Sequence, residues 1–265
     1  MFNRNQTYLA CFLSLVMLFL QMYVLFYLYQ KNERPVYCLM VTGHTENRIP
    51  FAKTSIANFK SQTYLSKHLI ILNQSESTLL DDDNDNILEV HISTESKTLG
   101  ELRNISLQFV PPNAIWTTWD DDDWRHPTYI ETMVNNMTRR NADFLMSQQR
   151  IEYNLKNGFA FKTSLRSGLM NTIFSAQNPN IAYEHVSTSE DVKVKSYAMK
   201  NLKTIVVPND PKMYIRLIHD DNTSIYVKSV KNEIKDTKKN KDYFENELTR
   251  EEKEYVDNII SKYYK

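Results

Sequence analysis

From Pro35 to Trp119, short apolar runs alternate with stretches of helical spacing, and that alternation restricts the fold more than any other feature. Val36–Thr42 (VYCLMVT), His68–Leu72 (HLIIL), Ile87–Ile92 and Ala114–Trp119 (AIWTTW) have the length and composition of buried strands. Between them, Pro50–Phe59 carries apolar residues at helical intervals. So does Leu99–Val110, with Leu99, Leu102, Leu107 and Val110. Strands separated by helices of this size imply βαβ units and a mainly parallel sheet flanked by helices, an α/β fold. Further on, Phe144–Tyr153 and Phe159–Thr163 flank Asn157-Gly158, a strong hairpin turn. A smaller antiparallel portion is therefore expected after the parallel half.

Composition removes several chemistries. The chain has 265 residues with 32 basic and 32 acidic side chains, and this balance lacks the basic excess that general nucleic-acid binding requires. Its 4 glycines, Gly43, Gly100, Gly158 and Gly168, stand far apart, which excludes a Walker loop, a G-x-G-x-x-G turn and a G-x-S-x-G elbow. The 2 cysteines, Cys11 and Cys38, cannot build a disulfide scaffold or a cysteine-rich zinc site.

The flanks differ from the centre. After a tail of residues 1–7, Tyr8–Tyr29 is free of charge and apolar on every face. As a helix it spans roughly 33 Å, enough for a hydrocarbon core of about 30 Å, and Tyr8, Tyr23, Tyr27 and Tyr29 suit the interfaces. A single uncleaved transmembrane signal anchor is expected, since no A-x-A-like cleavage site follows. Arg4 on one side and Lys31 and Arg34 on the other nearly balance, so the flanking charges set no orientation. Sequons at Asn73, Asn104, Asn136 and Asn222 carry little weight in a chain this rich in Asn, Ser and Thr. The main domain is expected over residues 35–226. Residues 227–247 form a charge-dense linker and 248–265 a final amphipathic helix. A Thr249-x-x-Glu252 capping box opens that helix, and Tyr255, Val256, Ile259, Ile260 and Tyr263 form its apolar stripe.

The strongest chemical signal is Asp120-Asp121-Asp122-Asp123. The run follows AIWTTW and precedes Trp124, and His126-Pro127 leads into a helix with Pro in its first turn. Adjacent carboxylates repel, and they repel more strongly beside a buried strand. Open α/β sheets bind ligands at the carboxyl ends of their strands, and a divalent cation with its phosphate ligand relieves the repulsion there. Asp81-Asp82-Asp83-Asn84-Asp85 lacks an aromatic bracket and reads as a solvated loop.

TWDDDDWRHP resembles the strand-end D-x-D signature of glycosyltransferase family 2, nucleotide-sugar enzymes with the Rossmann-type GT-A fold. The segment from Val36 to Asn73 is similar to that family's opening strand–helix–strand, with Gln62-Thr63-Tyr64 before the second strand. LGELRN resembles the segment whose Arg and Asn precede the metal strand. Ser189-Glu190-Asp191-Val192 resembles the late E-D pair. These motifs keep the family's order from about Pro35 to Ile225. The Q-x-x-R-W motif of processive members is absent.

The resemblance implies a role for each matching residue. Thr42, Arg48, Asn73, Arg103, Asp120 and Asp121 would bind the nucleotide sugar, a UDP-sugar by preference. Asn73 stands where the family usually has Asp. Asp122, with Asp120 or Asp123, would hold Mn²⁺ or Mg²⁺. Tyr214–Ser224 (YIRLIHDDNTS) resembles a late H-x-x-N-T-S stretch, whose His219 would touch phosphate or metal. Asp191, with Glu190 as understudy, would be the base of an inverting transfer. Trp124 would face the acceptor, while Trp116 and Trp119 fall on opposite faces of their strand. By analogy with single-anchor glycosyltransferases, the domain would lie in the lumen of the endomembrane system. Other readings are a nucleotidyltransferase, a degenerate membrane-tethered binding protein, and an anchor that works through its charged tail.

Overall fold

Val36–Val41 (β1) lies inside a seven-stranded sheet in the computed structural model, which describes residues 12, 14–22, 33–43, 45–81, 85–92, 97–163, 165–166, 168–220, 222 and 246–264. The other strands of this sheet are Lys67–Asn73 (β2), Ile87–His91 (β3), Ile115–Thr118 (β4), Phe144–Ser147 (β6), Leu169–Ala176 (β9) and Thr204–Val207 (β10). Their order is β10-β6-β9-β4-β1-β2-β3. All pairs are parallel except those of β9, which runs antiparallel to both β4 and β6.

Both faces of this sheet are covered, so its strands read as continuous apolar runs. Helices Ile49–Lys60 (α1) and Tyr129–Arg140 (α3) lie on one face. There Ala52, Ile56, Phe59, Ile130 and Met133 meet Cys38, Met40 and Leu69. Leu99–Leu107 (α2) and Val192–Asn201 (α4) lie on the other, where Leu102, Val194 and Ala198 meet Leu39, Ile70 and Leu72. Trp116 and Trp119 are both buried and divide between the two faces, as strand alternation requires.

A five-stranded sheet, ordered β12-β8-β7-β11-β5, stands beside the first. It comprises Trp124–Arg125 (β5), Ile151–Asn154 (β7), Ala160–Lys162 (β8), Tyr214–Ile218 (β11) and Asn246–Glu247 (β12). Helix Arg250–Tyr263 (α5) covers it, with Val256, Ile259 and Ile260 packed among Trp124, Ile151, Tyr153, Ile215 and Leu217. Among the described strands the chain passes between the sheets five times. Two of these crossings shape the site and its surroundings: from β4 to β5 through the four aspartates, and from β6 to β7 through Gln148–Arg150.

The crossing from β6 to β7 corrects the hairpin expected over Phe144–Tyr153. Phe144–Ser147 belongs to the large sheet, and only Ile151–Asn154 pairs with Ala160–Lys162 around Asn157-Gly158. Helix α3 starts at Tyr129, so Pro127 precedes it and is not in its first turn. Both helix caps with a Thr and a Glu three residues on, Thr98–Glu101 and Thr249–Glu252, form the full reciprocal box.

Residues 14–22 are helical with exposed apolar side chains, but among the described residues no helix is long and apolar enough to cross a membrane. Much of the expected anchor Tyr8–Tyr29, including its four tyrosines, lies outside the described residues. So do Asp82–Asn84 of the other acidic run and residues 227–245 of the expected linker.

Gly100, in the first turn of α2, makes a close approach that fixes the late acidic segment. A Cβ there would sit 1.7 Å from the carbonyl oxygen of Glu184 and 3.2 Å from the Cβ of Glu190. Its N–H donates to the carbonyl of Val186 at 3.0 Å. Gly100→Ala should destabilise the fold by about 1–3 kcal/mol, read from denaturant unfolding, because the clash is with backbone. An unchanged midpoint would mean the segment is free to retreat.

Candidate active site

The four aspartates fan out to partners on separate elements, with Arg48 shared by Asp121 and Asp122. Asp120 accepts from Arg103 Nη2 at 3.2 Å. Asp121 is gripped by the Arg48 guanidinium, with Nε 3.3 Å from Oδ2 and Nη2 on Oδ1. Asp122 Oδ2 lies 3.0 Å from Arg48 Nη1, 3.0 Å from His219 Nε2 and 3.0 Å from the Asn222 amide nitrogen. Asp123 turns into the small sheet, where the Tyr214 hydroxyl donates to Oδ2 and the Leu217 N–H to Oδ1 at 3.1 Å.

Burial sets the electrostatics of this turn. Asp121, Asp122 and Asp123 are 2%, 8% and 1% exposed. Burial first, and the charge of Asp122 second, push the carboxyls of Asp121 and Asp123 above their ordinary range. Burial acts the same way on Asp122, but Arg48 and His219 overcome it and hold that carboxyl well below the usual range. Asp122 is thus the firmly ionised member. Arg48 owes its place to a short 3₁₀ turn, Glu46–Arg48, that delivers it to the start of α1. The His219 ring stacks on Phe51 of α1, with centroids 4.5 Å apart.

Arg103, on α2, bridges two acidic segments far apart in sequence. Its Nη1 lies 2.7 Å from Glu190, opposite its contact with Asp120. Burial works against the guanidinium charge, and Asp120, Tyr183, Glu190 and Asp191 outweigh it. Glu190 and Asp191 are both raised, by burial first, with Arg103 opposing. Glu190 is held in the salt bridge, whereas among the described residues Asp191 joins none. Asp191 sits at the N-cap of α4 without capping it. Ser189, just before the pair, adopts φ of 62°, a left-handed conformation that is costly for a non-glycine residue. That turn, with the close approach at Gly100, aims the E-D pair at Arg103.

Other sequence candidates stand elsewhere. Thr42 and Asn73 are buried together, with Thr42 Oγ1 3.1 Å from Asn73 Oδ1. Asn73 Oδ1 also accepts from Ser75, and its NH₂ donates to Ser77 O and Glu89 Oε1. The amide's bonding capacity is filled, so a base edge would have to displace one of these partners. Trp124 is buried under α5, against Tyr255, and not at an open surface. Among the sequons, Asn73 and Asn222 are buried, and Asn104 exchanges hydrogen bonds with the backbone of Tyr183.

Three contributors are given no role by the motifs above. Arg125 is fully buried, with its guanidinium carbon 4.2 Å from the Trp119 ring centroid and 4.6 Å from that of Tyr214. Tyr214 and Asn222 each bond one of the aspartates. The H-x-x-N spacing could have placed Asn222, because its Oδ1 accepts from the His219 N–H at 2.7 Å and its NH₂ thereby reaches Asp122. Arg125 and Tyr214 become partners only through the pairing of β5 with β11.

The donor set suits a divalent cation. Asp122 Oδ2 and His219 Nε2 converge to 3.0 Å; the carboxylate oxygen suits Mn²⁺ or Mg²⁺, and the imidazole nitrogen is a further candidate ligand. Among the described residues no group of three or more His, Cys, Asp or Glu could hold a metal. That is compatible with an ion completed by substrate phosphates, which usually takes only one or two carboxylates from the protein.

No family model matches the sequence, and no curated protein does. Solved structures do. TarS residues 1–349 of S. aureus, in complex with UDP-GlcNAc, superposes with a TM-score of 0.56 at 14% identity, over 71% of this chain and 60% of that one. The mannosyltransferase PcManGT of Pyrobaculum calidifontis, in complex with GDP-Man and Mn²⁺, gives 0.50 at 12% identity, over 79% and 68%. A longer TarS structure is covered over only 37% of its length. These likenesses show the fold, which is GT-A-like.

Arg103→Met should cost about 3–5 kcal/mol in denaturant unfolding, because two carboxylates lose their shared cation in a largely buried setting. Arg103→Lys should recover only part, since an ammonium cannot fork between them. A loss under about 1 kcal/mol would mark the bridge as an ordinary surface pair.

Proposed function

We propose that the chain is a glycosyltransferase that moves a sugar from a nucleoside-diphosphate donor, a UDP-sugar by preference, to an acceptor hydroxyl with inversion. The observation that carries this reading is the gathering of Arg48, Arg103, Asp120–Asp123, Glu190-Asp191 and His219 at the carboxyl end of β4. Ligands of open α/β sheets bind at such strand ends. The GT-A-like fold, and the nucleotide sugars bound by TarS and PcManGT, support the same substrate class.

In this reading Asp122 and His219 would hold Mn²⁺ or Mg²⁺, which when bound would supply charge stabilisation to the leaving diphosphate. Arg48 and Arg103 hold phosphate and ribose in place, and Asp120 and Asp121 keep those guanidiniums oriented. Asp191, outside the salt bridge that engages Glu190, takes the proton of the acceptor hydroxyl. Its raised pKa suits a base that releases the proton again. One attacking hydroxyl and one base give a single displacement, so the anomeric configuration inverts. Asp123, bonded to Tyr214 and Leu217, serves as a structural tie. Residues 8–29 anchor the chain in an endomembrane with the domain in the lumen. The charge-free run in the sequence supports the anchor, and analogy supports the side.

Two variants separate the roles. Asp122→Ala should lower turnover and UDP affinity together, while Asp81→Ala, at an exposed carboxylate, should change neither. Asp191→Asn should lower kcat by about 10²–10⁴ with donor affinity nearly unchanged. Because Asp191 is raised and must be ionised to act, the rate should fall as pH falls through a value above that of an ordinary aspartate. Normal turnover in Asp191→Asn with a dead Glu190→Gln would transfer the base role to Glu190. Equal effects at Asp122 and Asp81 would remove the metal site. For the anchor, the carboxyl terminus should resist protease in sealed microsomes, and cleavage without detergent would put the domain in the cytosol.

A further inference from the structure

Helix α5 is not used by the chemistry above, yet it reaches the same site. The Phe51 ring that stacks on His219 also lies 6.2 Å from the ring of Tyr264, at the C-cap of α5. Thr54, one turn along α1 from Phe51, donates to the carbonyl of Tyr263 at 3.4 Å. Val256, Ile259 and Ile260 fix the helix on the small sheet, so its end is held in place. The Tyr264 hydroxyl oxygen is buried and has no hydrogen-bond partner among the described residues. Buried hydroxyls in folded proteins almost always have one, and an orphan asks for a ligand. Burial first, then the carboxylates of Asp123 and Asp122, hold this phenol well above its usual pKa, so it remains a proton donor. Asp122 Oδ2 already has three nitrogens at 3.0 Å, those of Arg48, His219 and Asn222, while the Tyr264 hydroxyl, close enough to feel the charge of Asp122 and Asp123, bonds neither.

We propose that Tyr264 is a donor-site residue, whose hydroxyl hydrogen-bonds the diphosphate bound beside Asp122 and His219, and that α5 is the wall that brings it there. The proposal rests on the transferase reading and adds a residue from outside the segment that resembles family 2.

The test is calorimetric titration of the full chain with UDP and with GDP, each with Mn²⁺, and with Mn²⁺ alone. Tyr264→Phe keeps the ring against Phe51 and loses only the hydroxyl. It should weaken the nucleotide that wild type binds by at least about tenfold, as loss of a hydrogen bond to a charged group does. Tyr263→Phe should bind as wild type, and Mn²⁺ affinity without nucleotide should be equal in all three proteins. Wild-type nucleotide affinity in Tyr264→Phe would overturn the inference and leave the transferase reading standing. A loss of Mn²⁺ affinity without nucleotide would mean that Tyr264 acts on His219 through Phe51, and would overturn direct contact. If wild type bound neither nucleotide, the transferase reading would fail and the inference with it.

Discussion

Burying consecutive carboxylates is the constraint on which this structure turns. Two unit charges about 4 Å apart repel by about 4 kcal/mol at the effective dielectric of a protein surface. Three of the four aspartates after β4 are nearly inaccessible. The fold accommodates them with partners drawn from several elements: Arg103 on α2 for Asp120, Arg48 before α1 for Asp121 and Asp122, His219 with Asn222 after β11 for Asp122, and Tyr214 on β11 for Asp123. No single ion pair would suffice, and a like-charged run without these elements would stay in solvent.

The same partners join the two sheets. Asp123 is tied to β11 while Asp120 and Asp121 are tied to helices of the large sheet, so the crossover is clamped from both sides. Arg125 adds a buried cation behind the turn, packed between Trp119 and Tyr214. Two backbone features complete the site from a distance. The left-handed Ser189 and the close packing at Gly100 bring Glu190-Asp191 to Arg103, and so to Asp120. Charge neutralisation, sheet assembly and the gathering of candidate catalytic groups are one arrangement.

Much of this was legible in the sequence, for local reasons. The buried strands β1, β2 and β4 announce themselves because both faces of the sheet are covered, and the Thr249–Glu252 box marks the start of α5. That Asp120–Asp123 lies at the end of a buried strand, unlike the exposed Asp81, followed from the apolar AIWTTW before it. Other features depend on contacts that sequence spacing does not carry. Phe144–Tyr153 looks like one strand, but it passes from one sheet to the other at Gln148–Arg150. Trp124, which follows the acidic run and by the resemblance would face the acceptor, is covered by α5, which arrives from more than a hundred residues away. Asn73 stands where the resemblance implies a nucleotide contact, while its bonds to Ser75, Ser77 and Glu89 are set by the turn after β2 and by β3.

The central claim is that the strand-end carboxylates, with Arg48, Arg103 and His219, form a metal-assisted nucleotide-sugar site. The most direct measurement is release of nucleoside diphosphate from a panel of UDP- and GDP-sugars by the full chain, with Mn²⁺ and with EDTA. The account predicts release from at least one donor with Mn²⁺ that EDTA abolishes and Asp122→Ala does not support. Undiminished release in EDTA, or binding and release unaffected by Asp122→Ala, would contradict it.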